Sequence, residues 1–186
     1  MAILHCPDKG LTLENAADIK AFLDARGILI EQWSSTEPLS ENATQEEVLR
    51  AYASTLEPYM QANGYQTADV VSINAQTPNI EALRAKFLPE HTHTEDEVRF
   101  FIEGQGDFWF NLSHNENLKD ADASQESPFL VQCFAGDLLA VPAGYPHWFD
   151  FGKKPSVKVI RIFTDISGWT PHYTNSQVHN AIAPSY

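Results

Sequence analysis

The stretch that decides the fold is His91-Thr-His-Thr-Glu-Asp-Glu-Val-Arg-Phe-Phe-Ile102. Alternate residues of a β-strand face the same side, so His91 and His93 can converge on one point. A turn through Thr94-Glu-Asp96 would return Glu97 to that point at the start of a second strand. The residues after Glu97 are mainly β-branched and aromatic, which favours a strand. The stretch therefore predicts two strands that present two imidazoles and a carboxylate together.

A second stretch of this kind is Gly136-Asp-Leu-Leu-Ala-Val-Pro-Ala-Gly-Tyr-Pro-His147. Its glycines and prolines predict turns around a short apolar strand, and His147 emerges at the far end. Imidazole nitrogen and carboxylate oxygen together suit Fe, Ni, Mn or Zn. We therefore predict one divalent metal site, formed by His91, His93, Glu97 and His147.

The same residues allow other interpretations. Histidines before a strand are often surface residues, and a lone histidine beside aromatic residues is often a core residue with satisfied hydrogen bonds. Glu95 is a competing carboxylate, although Glu97 is preferred because it opens the strongly strand-like run. Four protein ligands leave two positions open around an octahedral ion, but the same four would close a tetrahedral zinc site and make it structural.

Two arginines help to decide between an open metal site and a closed structural one. Arg99 follows Glu97 by two residues on the same predicted strand and should share its face. Arg161 lies in Ser156-Val-Lys-Val-Ile-Arg-Ile-Phe163, on a face that is otherwise apolar, where a cation needs an anionic partner. Either arginine alone could pair with a structural carboxylate, but two beside one metal favour an anionic ligand and a reaction centre. An apolar pocket could be walled by Phe87, Phe149 and Trp169.

The N-terminal part is predicted to be mixed helix and strand. Thr12 is a candidate cap for a first helix, and Thr44-Gln-Glu-Glu47 has the spacing of a capping box for a second helix. Pro58 should break or kink the second helix, because proline lacks the N–H that a helix interior needs. Gly64 should end it.

The pattern changes after residues 1–88. Residues 89–168 consist of many short strand-like runs punctuated by glycine, which is typical of a barrel or sandwich. The tail, residues 169–186, has no clear pattern. We predict a single domain over residues 1–186, of β-rich α+β class, in which a metal-binding barrel carries N-terminal helices.

Composition excludes several classes of partner. The formal net charge of −13 repels nucleic-acid phosphates and anionic lipid, and no basic stripe offsets it. No apolar run approaches the roughly 20 residues that span a bilayer, and the N-terminus lacks a secretory pattern. Cys6 and Cys133 are expected to be free thiols. We expect a cytoplasmic protein, a monomer because no heptad is evident, with a small-molecule ligand, no nucleic acid and no membrane.

Together the two stretches resemble the paired motifs of the cupin superfamily. The first motif is His-x-His, three residues, Glu, six residues, Gly; the second is Gly, five residues, Pro-x-Gly, two residues, His. The second motif often ends in Asn four residues after the His, where Phe151 stands here. That Asn is not a ligand, so the metal prediction is unaffected. The resemblance implies a double-stranded β-helix, or jelly-roll, barrel.

A closer resemblance is to the acireductone dioxygenases of methionine salvage. It rests on Lys86–Phe101, on Val141-Pro-Ala-Gly-Tyr-Pro-His-Trp-Phe149 and on Ile160-Arg-Ile-Phe-x-x-x-x-Gly-Trp169. It implies one Fe(II) or Ni(II) ion per monomer on the four predicted ligands, and active-site arginines at Arg99 and Arg161. The family's pocket aromatics match Phe87, Phe149 and Trp169.

The resemblance also implies a reaction. The substrate would be 1,2-dihydroxy-3-keto-5-(methylthio)pentene, cleaved by dioxygen. Fe(II) would give 2-keto-4-methylthiobutyrate and formate, whereas Ni(II) would give 3-methylthiopropionate, formate and CO. The ene-diol supplies the electrons, so no flavin, haem or pterin is expected. The alternative is a non-catalytic or isomerase-type metal-binding cupin.

Overall fold

The computed structural model describes residues 1–35, 38–40, 42–113, 128–152, 154–165 and 170–182. Within these ranges the chain forms eleven strands, four α-helices and a 3-10 turn at Pro7–Lys9. The strands are β1 (Ile3–Cys6), β2 (Leu11–Leu13), β3 (Leu29–Gln32), β4 (Thr67–Asn74), β5 (His91–Thr92), β6 (Glu97–Phe110), β7 (Phe129–Phe134), β8 (Asp137–Val141), β9 (His147–Asp150), β10 (Ser156–Phe163) and β11 (His172–Tyr173). The helices are α1 (Ala16–Asp24), α2 (Gln45–Asn63), α3 (Ile80–Phe87) and α4 (Val178–Ala181).

Strand β6 is the central element because it belongs to two antiparallel sheets. Its first half pairs with β8 and β10, and its second half pairs with β7 and β9. Sheet 1 has the order β11-β5-β9-β6-β7-β1-β2, and sheet 2 has the order β4-β10-β6-β8-β3. This is the double-sheet arrangement of cupins, so the predicted β-rich α+β class is confirmed. Among the described residues the two sheets share β6 without closing into one hydrogen-bonded barrel.

Strand alternation separates the buried residues into layers. Phe101 of β6 and Val157 of β10 belong to the core between the sheets. Phe100 and Ile160, which lie one and three positions away in the same strands, face outward and pack with Tyr52 of α2. Side chains two residues apart share a face, so the parity that buries Phe101 also turns Glu97 and Arg99 toward the interior.

Local signals set the ends of α2. Thr44 Oγ1 accepts from the N–H of Glu47 at 3.3 Å, and the Glu47 carboxylate accepts from the N–H of Thr44 at 2.8 Å, which is the predicted capping box. Gly64 ends the helix with a φ of 77°, as predicted. The predicted break at Pro58 is wrong, since α2 continues through it to Asn63. The apolar face of α2 packs on sheet 2 and outweighs the lost hydrogen bond.

The prediction that Thr12 caps the first helix is also wrong. Thr12 lies in β2, opposite His5 of β1. The cap of α1 is Asn15, whose side chain accepts from the N–H of Ala17 at 2.9 Å and of Asp18 at 3.4 Å. Pairing of Thr12 with the preceding strand β1 therefore moved the helix start by three residues. None of the helices in the described ranges is long and apolar enough to cross a bilayer.

Candidate metal centre

The four predicted metal ligands meet at one point in the interior. Ligand atoms of His91, His93, Glu97 and His147 all lie within 4.8 Å of one another. All four residues are buried, with at most 5% of their surface exposed. Two ligands on opposite sides of one ion, with bonds of about 2.1 Å, would lie about 4 Å apart, so the cluster has the size of a single-ion site. Glu95, the competing carboxylate, is not part of it.

Strand pairing brings these residues together. His91 of β5 pairs directly with His147 of β9. Glu97 is the first residue of β6, which pairs with β9 along its second half. His93 lies just beyond β5, where its carbonyl accepts from the N–H of Gly144 at 2.8 Å. The turn that precedes His147 is thereby attached to the segment that carries the first two histidines.

Main-chain carbonyls orient all three imidazoles. The Nδ1-to-oxygen distances are 2.7 Å from His91 to Pro89, 2.8 Å from His147 to Tyr145 and 3.3 Å from His93 to Thr170. A carbonyl only accepts, so each Nδ1 carries the proton and each Nε2 keeps its lone pair, as is typical of metal-ligating histidines. The Nε2 atoms of His93 and His147 lie 3.0 Å and 2.8 Å from Oε2 of Glu97. Lone pairs at such distances repel unless a cation lies between them, so this donor set fits a divalent metal ion.

Burial and neighbouring charge favour the protonation states that metal ligands need. Burial lowers the pKa of His91 to about 3, so its imidazole is neutral at neutral pH. Burial alone would raise the pKa of Glu97, but the positive charge of Arg99 holds it well below its usual range. Because metal ligands bind in their deprotonated forms, the cluster is ready for an ion at neutral pH.

Arg99 lies at the edge of the metal cluster. Its Nη2 is 2.5 Å from Oε1 of Glu97, and its side chain is buried. The guanidinium carbon is 4.7 Å from the ring centre of Phe149 and 5.7 Å from that of Phe87. Burial lowers the pKa of Arg99, and Glu97 opposes that shift. An arginine remains charged in proteins, so a cation is held here between a carboxylate and aromatic faces.

Arg99 also lines a cavity of about 80 Å³. One water needs roughly 10–15 Å³ of such a cavity, so there is room for about five to eight waters or a small molecule of similar size. Its apolar walls come from β4, α3 and β10, through Val71, Ile73, Leu83, Val157 and Val159. Two of the predicted pocket aromatics, Phe87 and Phe149, border it. The third, Trp169, lies outside the described residues.

Arg161 is the second charged residue of this cavity. It lies opposite Arg99 in the pairing of β10 with β6. Its Nε and Nη2 are 2.8 Å and 2.5 Å from the two carboxylate oxygens of Asp69 in β4. A bidentate pair of this kind fixes the plane of a guanidinium. Arg161 therefore both pairs with a carboxylate and faces the predicted cavity.

Sequence reasoning missed two carboxylates close to the site. Asp69 is the only charged residue of β4, and that was a usable signal, because a partly buried charged residue is usually paired. Glu90 directly precedes His91, is buried, and accepts hydrogen bonds from Thr174 and Asn111. Nothing near Glu90 in the sequence indicates partners so far along the chain.

A larger, mainly apolar cavity of about 350 Å³ lies beside α1 and β3. None of the predicted site residues within the described ranges lines it. Cavity size alone would thus have pointed away from the metal cluster, whereas the convergence of ligand atoms identifies it.

Comparison with known proteins gives concordant matches. The model of the ARD/ARD′ family matches residues 12–171. An acireductone dioxygenase of Picosynechococcus sp. is 52% identical over 178 residues, 96% of this chain and 95% of that protein. One of Gluconobacter oxydans is 42% identical over 170 residues, 91% of this chain and 84% of that protein. A solved structure described as acireductone dioxygenase from Bacillus anthracis with a cadmium ion in its active centre is 30% identical, with a TM-score of 0.79, covering 93% of this chain and 98% of that one.

Proposed function

This chain belongs to the ARD/ARD′ family, the acireductone dioxygenases, and from that membership we propose that it cleaves 1,2-dihydroxy-3-keto-5-(methylthio)pentene with dioxygen. With Fe(II) the proposed products are 2-keto-4-methylthiobutyrate and formate. With Ni(II) they are 3-methylthiopropionate, formate and CO. Either set of products contains all atoms of the substrate and both atoms of dioxygen, so no external reductant is required.

The position of Arg99 is the observation that carries this proposal. Its guanidinium contacts Glu97 of the metal cluster and also lines the cavity. An anion in the cavity would therefore meet a buried cation at the edge of the metal site. A deprotonated ene-diol is an anion rich in oxygen, which matches the charge of this arrangement. A closed structural metal site would not require a cation there.

The proposed cofactor is one Fe(II) or Ni(II) ion per chain, held by His91, His93, Glu97 and His147. Three imidazoles and one carboxylate suit either metal. When bound, such an ion would supply Lewis-acid chemistry for the reaction of the substrate with dioxygen.

The remaining roles belong to the walls of the cavity. Arg99 and Arg161 would stabilise the negative charge of the substrate where little water competes for it. Phe87 and Phe149 would exclude water from the reacting end, and the aliphatic wall behind them would receive the methylthio tail. We further propose that the enzyme acts as a monomer in the cytoplasm. Light scattering coupled to size-exclusion chromatography tests the monomeric state, and fractionation of the source cells tests the cytoplasmic location.

An oxygen electrode tests the activity. Metal-free protein is reconstituted with Fe(II), Ni(II) or Zn(II), and oxygen uptake is followed after addition of the acireductone. We expect uptake with Fe(II) and Ni(II), carbon monoxide only with Ni(II), and no uptake with metal-free protein. Protein that holds one Fe(II) per chain yet consumes no oxygen would instead support a non-catalytic cupin.

The ligand assignment is tested separately. Glu97→Ala should lose both bound metal and activity, and the matched variant Glu95→Ala should retain both. The reverse result would make Glu95 the ligand and contradict the assignment.

A further inference from the structure

We propose that Glu90 is a positioning residue, which fastens residues 170–182 against the metal cluster and thereby orients His93. These residues are called the C-terminal strap below. The inference rests on the metal centre described under the proposed function, because it concerns how the imidazoles of that centre are held.

The C-terminal strap contacts the segment that carries two of the ligands. Its strand β11 pairs with β5, so that Tyr173 lies opposite His91. The carbonyl of Thr170 accepts from Nδ1 of His93 at 3.3 Å. Among the three imidazoles, that of His93 has the longest contact to its carbonyl, and its partner is the only one of the three that lies in a distant segment. The orientation of His93 thus depends on where the strap lies.

Glu90 joins the strap to the rest of the site. Its Oε1 accepts from the hydroxyl of Thr174 at 2.5 Å, and its main-chain carbonyl accepts from the N–H of Thr174 at 3.1 Å. Its Oε2 accepts from Nδ2 of Asn111 at 2.7 Å. The N–H of Asn111 in turn donates to the carbonyl of Pro146, next to His147. One carboxylate therefore connects the strap, the end of β6 and the turn before the last ligand.

The chemistry of this position requires a carboxylate. Glu90 is only 4% exposed, and its side-chain partners, Thr174 and Asn111, are uncharged. Burial of a carboxylate costs free energy unless both oxygens accept hydrogen bonds. Both oxygens do so here, each from a different segment. A glutamine would present an amide N–H₂ to one of the two donors, so it could satisfy only part of the arrangement.

The far end of the strap is attached independently of Glu90. Val178 and Ile182 pack on Trp109, Leu130 and Trp148 on the outer face of sheet 1. Loss of the Glu90 carboxylate should therefore leave α4 in place and release the strap only near Thr170. The expected defect is a loosely held imidazole at His93, while the fold persists.

Binding of Co(II) to the full-length protein tests the inference without any turnover. The Co(II) dissociation constant is measured by competition with a chelator, and the visible absorption of the bound Co(II) reports the ligand arrangement. We expect Glu90→Ala to weaken Co(II) binding about 10- to 100-fold and to alter the spectrum, as removal of outer hydrogen bonds does at other metal sites. Glu90→Gln should recover part of the loss, and Thr174→Val should show a smaller loss of the same kind. Glu95→Ala is the matched control and should leave both readouts unchanged.

The same measurements can overturn the inference. If Glu90→Ala and Thr174→Val both bind Co(II) with the affinity and the absorption spectrum of the wild-type protein, the inference is overturned. If Glu90→Ala does not fold, Thr174→Val decides alone, because it leaves the carboxylate paired with Asn111. The double variant adds a further check, since residues that act through one hydrogen bond should show non-additive losses, and strictly additive losses would contradict a shared role. Failure of the wild-type protein to bind Co(II) would overturn the proposed metal centre together with this inference.

Discussion

Replacement of Arg99 by methionine separates metal binding from stabilisation of substrate charge. Methionine retains most of the apolar volume beside Phe149 but removes the guanidinium that lies 2.5 Å from Glu97. All four metal ligands remain in place. We therefore expect the Arg99→Met variant to fold, to hold one metal ion per chain at neutral pH, and to turn over slowly.

The magnitude follows from the burial of Arg99. The residue is 6% exposed, so little water replaces its hydrogen bonds once it is removed. Loss of one buried donor that meets developing charge lowers kcat by about 10²- to 10³-fold, or about 3–4 kcal/mol. We expect a loss in that range. Arg99→Lys, which keeps the charge but not the planar fork, should lose less.

A second effect concerns pH. Burial raises the pKa of Glu97 and Arg99 counters it, so in the native chain the carboxylate stays ionised well below its usual pKa. Without Arg99 the pKa of Glu97 rises, and protons compete with the metal at higher pH than before. Metal binding by the variant should therefore be lost at a higher pH than in the wild-type protein as the solution is acidified.

Oxygen uptake at saturating substrate, with metal content measured in the same samples, provides the assay. Full metal content combined with unchanged kcat would refute a role for Arg99 in stabilising substrate charge. A folded variant without metal at neutral pH would show that Arg99 acts chiefly by holding Glu97.

Three further substitutions probe other parts of the structure. Asp69→Asn should raise KM about 10-fold. The free energy of unfolding should change by less than about 1 kcal/mol, because the ion pair with Arg161 is about a quarter exposed. Steady-state kinetics and urea unfolding measure the two effects, and an unchanged KM would remove Asp69 from the site. Thr44→Ala should lower the free energy of unfolding by about 1 kcal/mol through loss of the capping box, with kcat unaffected. Gly104→Ala should cost more than about 2 kcal/mol, because φ is 73° and the added Cβ would overlap the carbonyl of Ser156; a thermal unfolding temperature equal to wild type would contradict this.

Features that depend on neighbouring residues were predictable from the sequence. The capping box of α2 needs only four consecutive residues, and the structure confirms it. The inward direction of Arg99 follows from strand alternation, because side chains two apart share a face. The start of α1 was mispredicted because Thr12 lies in β2, paired with His5 of β1 seven residues earlier, and this strand pairing overrides its tendency to cap a helix. Pro58 remained inside α2 because contacts with sheet 2 stabilise the helix around it.

The sequence by itself predicted that His91, His93 and Glu97 converge, since strand alternation and a short turn bring their side chains together over a few residues of chain, and the structure places their ligand atoms close to one another. Only the tertiary structure decided how the site is held. Arg161 meets Asp69 across 92 residues, His93 meets the carbonyl of Thr170 across 77, and Glu90 meets Thr174 across 84. Such pairs depend on the order and register of strands in the sheets. Strand order and register are set by the burial of whole faces, so a single stretch of sequence does not contain them.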